Sequence, residues 1–355
     1  MSRVRLIATF GVLVALLGVV AWAAPKPWFI TDADMYEGVA RSFILPDCSD
    51  LQCFRPLAPW ILGRIPGTPL LVWKAYAVVA TAAAAIALAR VCLLFGLTAH
   101  AAELAAWMLA FSFGPLLTLF NPYGADPLMY LVGPLVVAEL LRDRRALAGL
   151  LAGVGVFGKE VAAAPLWIGV VWALLRRRWE LAVRLFAIAL GVTLVWVGLQ
   201  LWLMLRYNYS YAGSGSADLL HGGDLRIWLG VMGPGHAAGV LLSTFGGLFL
   251  LVPVGYRRAS EDLKRFALAA VPAALALTYV QQPDRSLWNF HYAMLPLAAI
   301  ALEALPAFLA WLFVACYAAS NLRVGANLPR VPSARYALAA SIAIAAFAAV
   351  KARRS

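Results

Sequence analysis

Charge is what this chain has least of. Asp, Glu, Lys and Arg make up 13% of its 355 residues, and 63% are hydrophobic. Soluble domains carry about 25% charged residues and about 45–50% apolar ones, so this composition excludes an ordinary soluble protein. Cysteine and histidine are equally scarce, with four of each. Cys92 and Cys316 fall in apolar stretches and read as packing residues. Cys48 and Cys53 share a polar loop, where their spacing allows a small disulfide or none at all. A disulfide fits only if that loop faces an oxidising compartment. With no His or further Cys nearby, the pair is not a zinc site. The two halves of the chain show no internal repeat, although transporters usually do. Gly213-Ser214-Gly215-Ser216 is followed by no Lys-Thr and preceded by no strand, so it is a loop and not a phosphate cradle.

What the chain has instead is long apolar runs, with a mean hydropathy of +0.82. Several are long enough to cross a hydrocarbon core of roughly 30 Å. They imply an all-α, polytopic transmembrane bundle in which residues 1–355 form one domain. The basic excess, 29 Lys and Arg against 17 Asp and Glu, lies in short clusters between apolar runs. That is the positive-inside pattern, and it leaves no basic domain for a nucleic acid to bind. Ser2-Arg3-Val4-Arg5 and the apolar run to Ala24 have the outline of a signal peptide, with Ala21-Trp22-Ala23 as a cleavage site. We read them as a first transmembrane helix with its N-terminus in the cytoplasm.

Following the arginine clusters gives the expected topology. Residues 25–68 form a first outer loop. Spans at 69–95 and 101–119 return the chain to the outside, and a further span ends at Arg142-Asp143-Arg144-Arg145. The next cluster, Arg176-Arg177-Arg178, lies only 30 residues beyond Arg145. Both clusters are inside only if 146–175 goes out and back, at about 14 residues or roughly 20 Å of helix per leg. The segment is therefore a hairpin of two short helices with Gly158-Lys159-Glu160 at its tip. Irregular backbone at that depth has to be covered by protein or by a wet cavity. Beyond it come a span at 182–204, a second outer loop at 206–235, spans at 236–255 and 266–280, and a region 291–320 that is one kinked helix or two helices broken near Pro306. A last span ends in Lys351-Ala352-Arg353-Arg354 on the inside. About 11–12 membrane segments result.

On this topology the acidic groups Asp32, Asp34, Asp126 and Asp284 gather on the outer face from three separate loops. Lys159 and Glu160 are flanked by apolar residues, where an ionisable side chain costs about 2.5–3.5 kcal/mol to insert. They either pair with one another or cap a helix, or they line a polar cavity. His221, His236 and His291 read as structural or interfacial groups. Tyr207, Tyr209 and Tyr211 alternate as an interfacial aromatic belt would, in preference to a sugar-stacking surface.

These residues also carry a resemblance. Asp32-Ala33-Asp34-Met35-Tyr36-Glu37-Gly38-Val39-Ala40 resembles the D-x-x-x-Y-x-x-x-A element in the first outer loop of GT-C-type membrane glycosyltransferases and their uncharacterised bacterial relatives. Phe54-Arg55-Pro56-Leu57-Ala58-Pro59 looks like the F-R-P-L-x-P that closes that loop. Asp126-Pro127-Leu128, Gly158-Lys159-Glu160 and Asp284-Arg285 followed by Pro296 are similar to later elements of the family, in the same order. The first acidic pair here is D-x-D, where some members have adjacent Asp-Glu. The family has a transmembrane bundle and moves a sugar from a polyprenyl-phosphate donor to a glycan, lipid or protein acceptor.

Carried over, the resemblance implies an inverting transfer at the extracytoplasmic side of a bacterial inner membrane. Asp32 is its general base and Asp34 the next candidate. Asp126 and Asp34 are ligands for a divalent Mg or Mn ion. Arg55, Arg206 or Arg285 grips the phosphate, and Tyr36, Lys159, Glu160 and Asp284 line the substrate site. Two other readings fit a polytopic chain: a transporter or lipid flippase, and a non-catalytic membrane partner on the same scaffold.

Overall fold

The computed structural model describes residues 2–25, 31–210, 226, 229–230, 233–280, 286–328 and 334–354. Among them there is no β-strand. The helices, in chain order, are α1 (Arg3–Ala23), α2 (Thr31–Ser42), α3 (Leu57–Leu62), α4 (Pro69–Leu94), α5 (Ala99–Ala110), α6 (Phe113–Phe120), α7 (Asp126–Leu141), α8 (Arg145–Gly155), α9 (Ala164–Leu175), α10 (Trp179–Tyr207), α11 (Pro234–Phe245), α12 (Leu248–Arg258), α13 (Glu261–Val280), α14 (His291–Glu303), α15 (Ala307–Val324) and α16 (Ala334–Arg354).

Among the described residues, six helical stretches are long and apolar enough to cross a bilayer: α1, α4, the continuous stretch Ala99–Phe120 made by α5 and α6, α10, α15 and Ala334–Lys351 of α16. The chain is an integral membrane protein. The sequence led us to expect about 11–12 segments; besides the long helices, α7, α8, α9, α12 and α14 are shorter helices packed among them.

Local chemistry sets the ends of these helices. Pro69 occupies the first turn of α4, where a missing N–H costs nothing. Beyond α4, Gly96 adopts a positive φ of 83°, and the Leu97 N–H reaches back to the Cys92 carbonyl. The Thr98 hydroxyl caps α5 by accepting from the Ala101 N–H at 3.2 Å. Asn208 ends α10 in the left-handed region, which a short polar side chain tolerates. Pro306 separates α14 from α15, so 291–320 is two helices.

The ala-rich α4 is the centre of the bundle, packed against α1, α5 and α7. Its small side chains let its neighbours approach closely, as bundles in lipid require. The hairpin of α8 and α9 lies between α7 and α10, while α12, α14 and α16 pack together on the other side. At one end of the bundle, ion pairs tie helices to each other: Arg5 of α1 to Glu103 of α5, and Arg176 of α9 to Asp262 of α13. At the other end lie α2, α3 and the tip of the α8–α9 hairpin.

Two helices approach closely at Gly255 of α12, where a Cβ would stand 1.7 Å from the Leu297 carbonyl oxygen of α14. Gly255→Ala should therefore push α12 and α14 apart and lower the thermal midpoint of the purified protein, at a cost of about 1–3 kcal/mol. Gly198→Ala is the control, since a Cβ there meets nothing within 4 Å. Equal midpoints for the two variants would contradict this packing.

Candidate functional site

The lysine and glutamate at the hairpin tip do not pair with each other. Lys159 Nζ donates to Asp126 Oδ1 at 2.6 Å. Arg55 Nη2 donates to Glu160 Oε1 at 3.1 Å and to Oε2 at 3.3 Å. Two ion pairs therefore meet where three chain segments converge: the end of the first loop, the start of α7, and the α8–α9 tip. Asp126 and Lys159 are 7% and 4% exposed, which makes theirs a buried pair.

Each segment presents its charge for a local reason. Asp126 opens α7, where the positive end of the helix favours a carboxylate. Lys159 sits in extended backbone just before the 3-10 turn Glu160–Ala163, so it leaves the hairpin on the inner side of the tip. Arg55 follows the 3-10 turn Leu51–Phe54 and precedes α3. The Leu57 N–H then donates to the Phe157 carbonyl at 3.0 Å, which clamps the loop to the tip.

Burial works against the charge on Arg55. Glu160, Tyr36 and Asp126 more than offset it, so the guanidinium stays charged with its pKa above the ordinary value. Tyr36 is also hydrogen-bonded to Arg55 and packs its ring 5.4 Å from Trp73.

The loop that delivers Arg55 is fastened at several points. Cys48 and Cys53 form a disulfide, and such bonds persist in oxidising compartments. The Asp47 N–H donates to the Tyr207 carbonyl, and the Ser210 N–H to the Cys48 carbonyl. The Leu45 N–H donates to the Tyr209 hydroxyl at 3.0 Å, and the Tyr209 ring meets Phe54 edge-on. Tyr209 is 5% exposed. That corrects its placing in an interfacial belt: its alternation with Tyr207 serves packing of the loop onto α10.

The other expected residues fall into three groups. Asp34 is exposed on α2. It lies in the field of Tyr123, whose hydroxyl donates to Glu37 Oε1 at 2.8 Å. The Tyr123 pKa is raised, first by burial and then by Glu37 and Asp34. Arg206 is exposed near the end of α10 and makes no hydrogen bond among the described residues. The backbone of Asp32 lies in the first turn of α2. The Asp32 side chain, with all of Asp284, Arg285, His221 and Tyr211, lies outside the described residues. His291 is buried at the start of α14, with Nδ1 2.8 Å from the Trp288 carbonyl.

Two cavities adjoin the ion pairs. A small one of about 50 Å³ is lined by Arg55, Lys159, Glu160, Trp196 and Gln200 among others. A much larger apolar groove of about 630 Å³ runs between α3, α4 and the start of α7, past Ala58, Leu62, Tyr76, Val79 and Leu128. The Leu128 N–H donates to the Tyr76 hydroxyl at 3.1 Å, so the groove begins two residues from Asp126. Gln200 and Tyr76 were not anticipated. The signal was present as a lone amide and a lone phenol in otherwise apolar spans.

Asp126, an expected ligand for a divalent ion, faces a side chain of the protein itself. The cation there is already the Lys159 ammonium, and no group of three or more His, Cys, Asp or Glu converges among the described residues.

A buried ion pair contributes little net stability, but removing one partner strands the other charge at a cost of about 3–5 kcal/mol. Lys159→Met alone should lower the thermal midpoint sharply, and Asp126→Leu combined with Lys159→Met should recover most of the loss. A double variant no more stable than the single one would show that the pair is not isolated and buried as described. In comparisons with protein-family models and with characterised proteins, nothing matches this chain.

Proposed function

We propose that the protein is a GT-C-like glycosyltransferase that uses a polyprenyl-phosphate sugar, with its site at the α2 end of the bundle facing the extracytoplasmic side. One observation carries the reading: two cationic side chains, Arg55 and Lys159, line a small cavity, and an apolar groove of about 630 Å³ begins at Leu128, two residues from the partner of Lys159. A lipid-linked donor has this form, an apolar tail joined to a phosphate. Well-packed apolar residues could replace either ion pair at little net cost, so a role with an anionic ligand accounts for keeping four charges at one buried place.

In the proposed reaction the tail lies in the groove between α3, α4 and α7. The phosphate reaches Arg55 and Lys159, which exchange part of their contact with Glu160 and Asp126 for phosphate oxygens. Charge-assisted bonds of this kind are the strong ones. As the bond from the anomeric carbon to the phosphate oxygen breaks, the electron pair leaves with the phosphate and the two cations meet its growing charge. The acceptor hydroxyl attacks from the opposite side, and its proton passes to a carboxylate of α2, Asp32 or Asp34. One displacement inverts the anomeric centre. Glu37 and Tyr123, bonded to each other beside Asp34, keep α2 in place over the site. Acceptors with a free hydroxyl, on glycan, lipid or protein, suit the exposed position of Asp34.

The test is transfer of labelled sugar from polyprenyl-phosphate donors by purified protein, with Asp32→Asn, Asp34→Asn and Arg55→Lys beside the wild type. Wild type should form product. One of the two Asn variants should lose about 100-fold or more, the usual contribution of a general base. Arg55→Lys keeps the charge but loses the fork geometry and should fall less. Full activity in both Asn variants would overturn the base. Movement of the intact donor across the membrane with no product would point to a flippase.

A further inference from the structure

A second groove lies between α8 and α10. It encloses about 540 Å³ and is lined only by small and aliphatic side chains, among them Gly149, Gly153, Val154, Gly191 and Val195. The two helices touch at Gly149, where a Cβ would come within 2.7 Å of Ile188. They then part. A Cβ at Gly153 would find only Val192, at 3.9 Å, and one at Gly191 would find nothing within 4 Å. Glycine inside a helix costs roughly 0.5–1 kcal/mol against alanine, and no contact among the described residues requires it at these two positions. The open side of the groove faces outward, since Leu150, Val154, Leu194 and Val195 are exposed there.

The mouth of this groove is basic. Gly149 with Ile188 and Gly153 with Val192 are at the same separation along the chain, so α8 and α10 run parallel, and that register sets Arg145 level with Arg184. Arg145 grips Asp143 with two nitrogens, at 2.7 and 2.9 Å. Asp143 is held below the usual carboxylate range, first by that hydrogen bond and then by the fields of Arg145, Arg178 and Arg184. One guanidinium thus holds this carboxylate and two more act on it through their fields. Glu139 pairs with Arg142 and Arg144, while Glu180 is almost fully exposed and stands 3.8 Å from Arg184, too loose to neutralise it. The positive ends of α8 and α10, which start at Arg145 and Trp179, point the same way. Trp179 is itself exposed, as an aromatic side chain at a membrane surface is.

We propose that this groove is a binding site for an anionic phospholipid: one acyl chain lies along Gly153 and Gly191, and Arg145, Arg178 and Arg184 hold the phosphate. Basic pockets between transmembrane helices recognise anionic headgroups in this way. A second helix would fill the small-residue groove equally well, but it would leave the arginine cluster at the mouth without a use. The site is separate from the proposed transfer reaction and does not depend on it.

The experiment places purified protein in nanodiscs of phosphatidylcholine alone or with a quarter phosphatidylglycerol, then reads the thermal midpoint and the lipids retained on release into a mass spectrometer. Wild type should gain in midpoint with phosphatidylglycerol and retain it selectively. Arg178→Gln combined with Arg184→Gln should retain it about 30-fold less, at roughly 1 kcal/mol per arginine near the surface. Gly191→Leu fills the groove but leaves the arginines in place, and it should lose the same selectivity. Each variant should keep the wild-type midpoint in phosphatidylcholine alone, which shows that it is folded. If one does not, the other carries the test. Equal retention of the two lipids by wild type, or unchanged selectivity in the folded variants, overturns the site. Loss of self-association in Gly191→Leu with lipid retention unchanged would give the groove to a helix and overturns it too.

Discussion

The buried contact between Lys159 and Asp126 constrains everything around it. An ammonium and a carboxylate enclosed by apolar helices are tolerable only when their geometry is tight and their neighbours are polar. That requirement fixes the tip of the α8–α9 hairpin against the start of α7. The Arg55–Glu160 pair then fixes the first loop against the same tip. Three segments far apart in sequence are held at one point by charges that a chain with 13% charged residues could have placed in water.

The first loop does for Arg55 what the helices do for Lys159. A disulfide shortens it, backbone bonds at Asp47 and Ser210 tie it to the end of α10, and Tyr209 fills the space beneath. The Leu57–Phe157 bond completes the clamp. An arginine held this firmly has little rotamer freedom left to lose when it meets an anion, and such preorganisation is the usual source of affinity at polar sites. The groove beside it supplies apolar area, the other component of a lipid ligand.

How much of this was legible in the sequence depended on range. Apolar runs and arginine spacing gave the all-helical membrane class, and the 30 residues between two basic clusters gave the short hairpin, because helix rise and bilayer thickness are fixed lengths. The cost of isolated charge in apolar sequence marked Lys159 and Glu160. Their partners were not legible, because Asp126 and Arg55 are 33 and 105 residues away along the chain. An adjacent Lys and Glu reads as one pair, and only the fold shows two. Tyr209 misled for a related reason: alternation along a strand of loop says nothing about which neighbour it packs on. The apolar groove belongs to no single segment, since α3, α4 and α7 each supply one wall.

The central claim is that Arg55 and Lys159 receive the phosphate of a lipid whose tail fills the groove along α4. Photo-crosslinking tests it most directly, with a polyprenyl phosphate carrying a photoreactive group in its tail and the labelled residues mapped by mass spectrometry. The account predicts labelling at Val79 and Leu131, which line the groove, competed by unlabelled polyprenyl phosphate but not by the free alcohol, and lost in Arg55→Gln. Labelling spread evenly over the exposed faces of α1 and α15, or competed equally well by the alcohol, would contradict it.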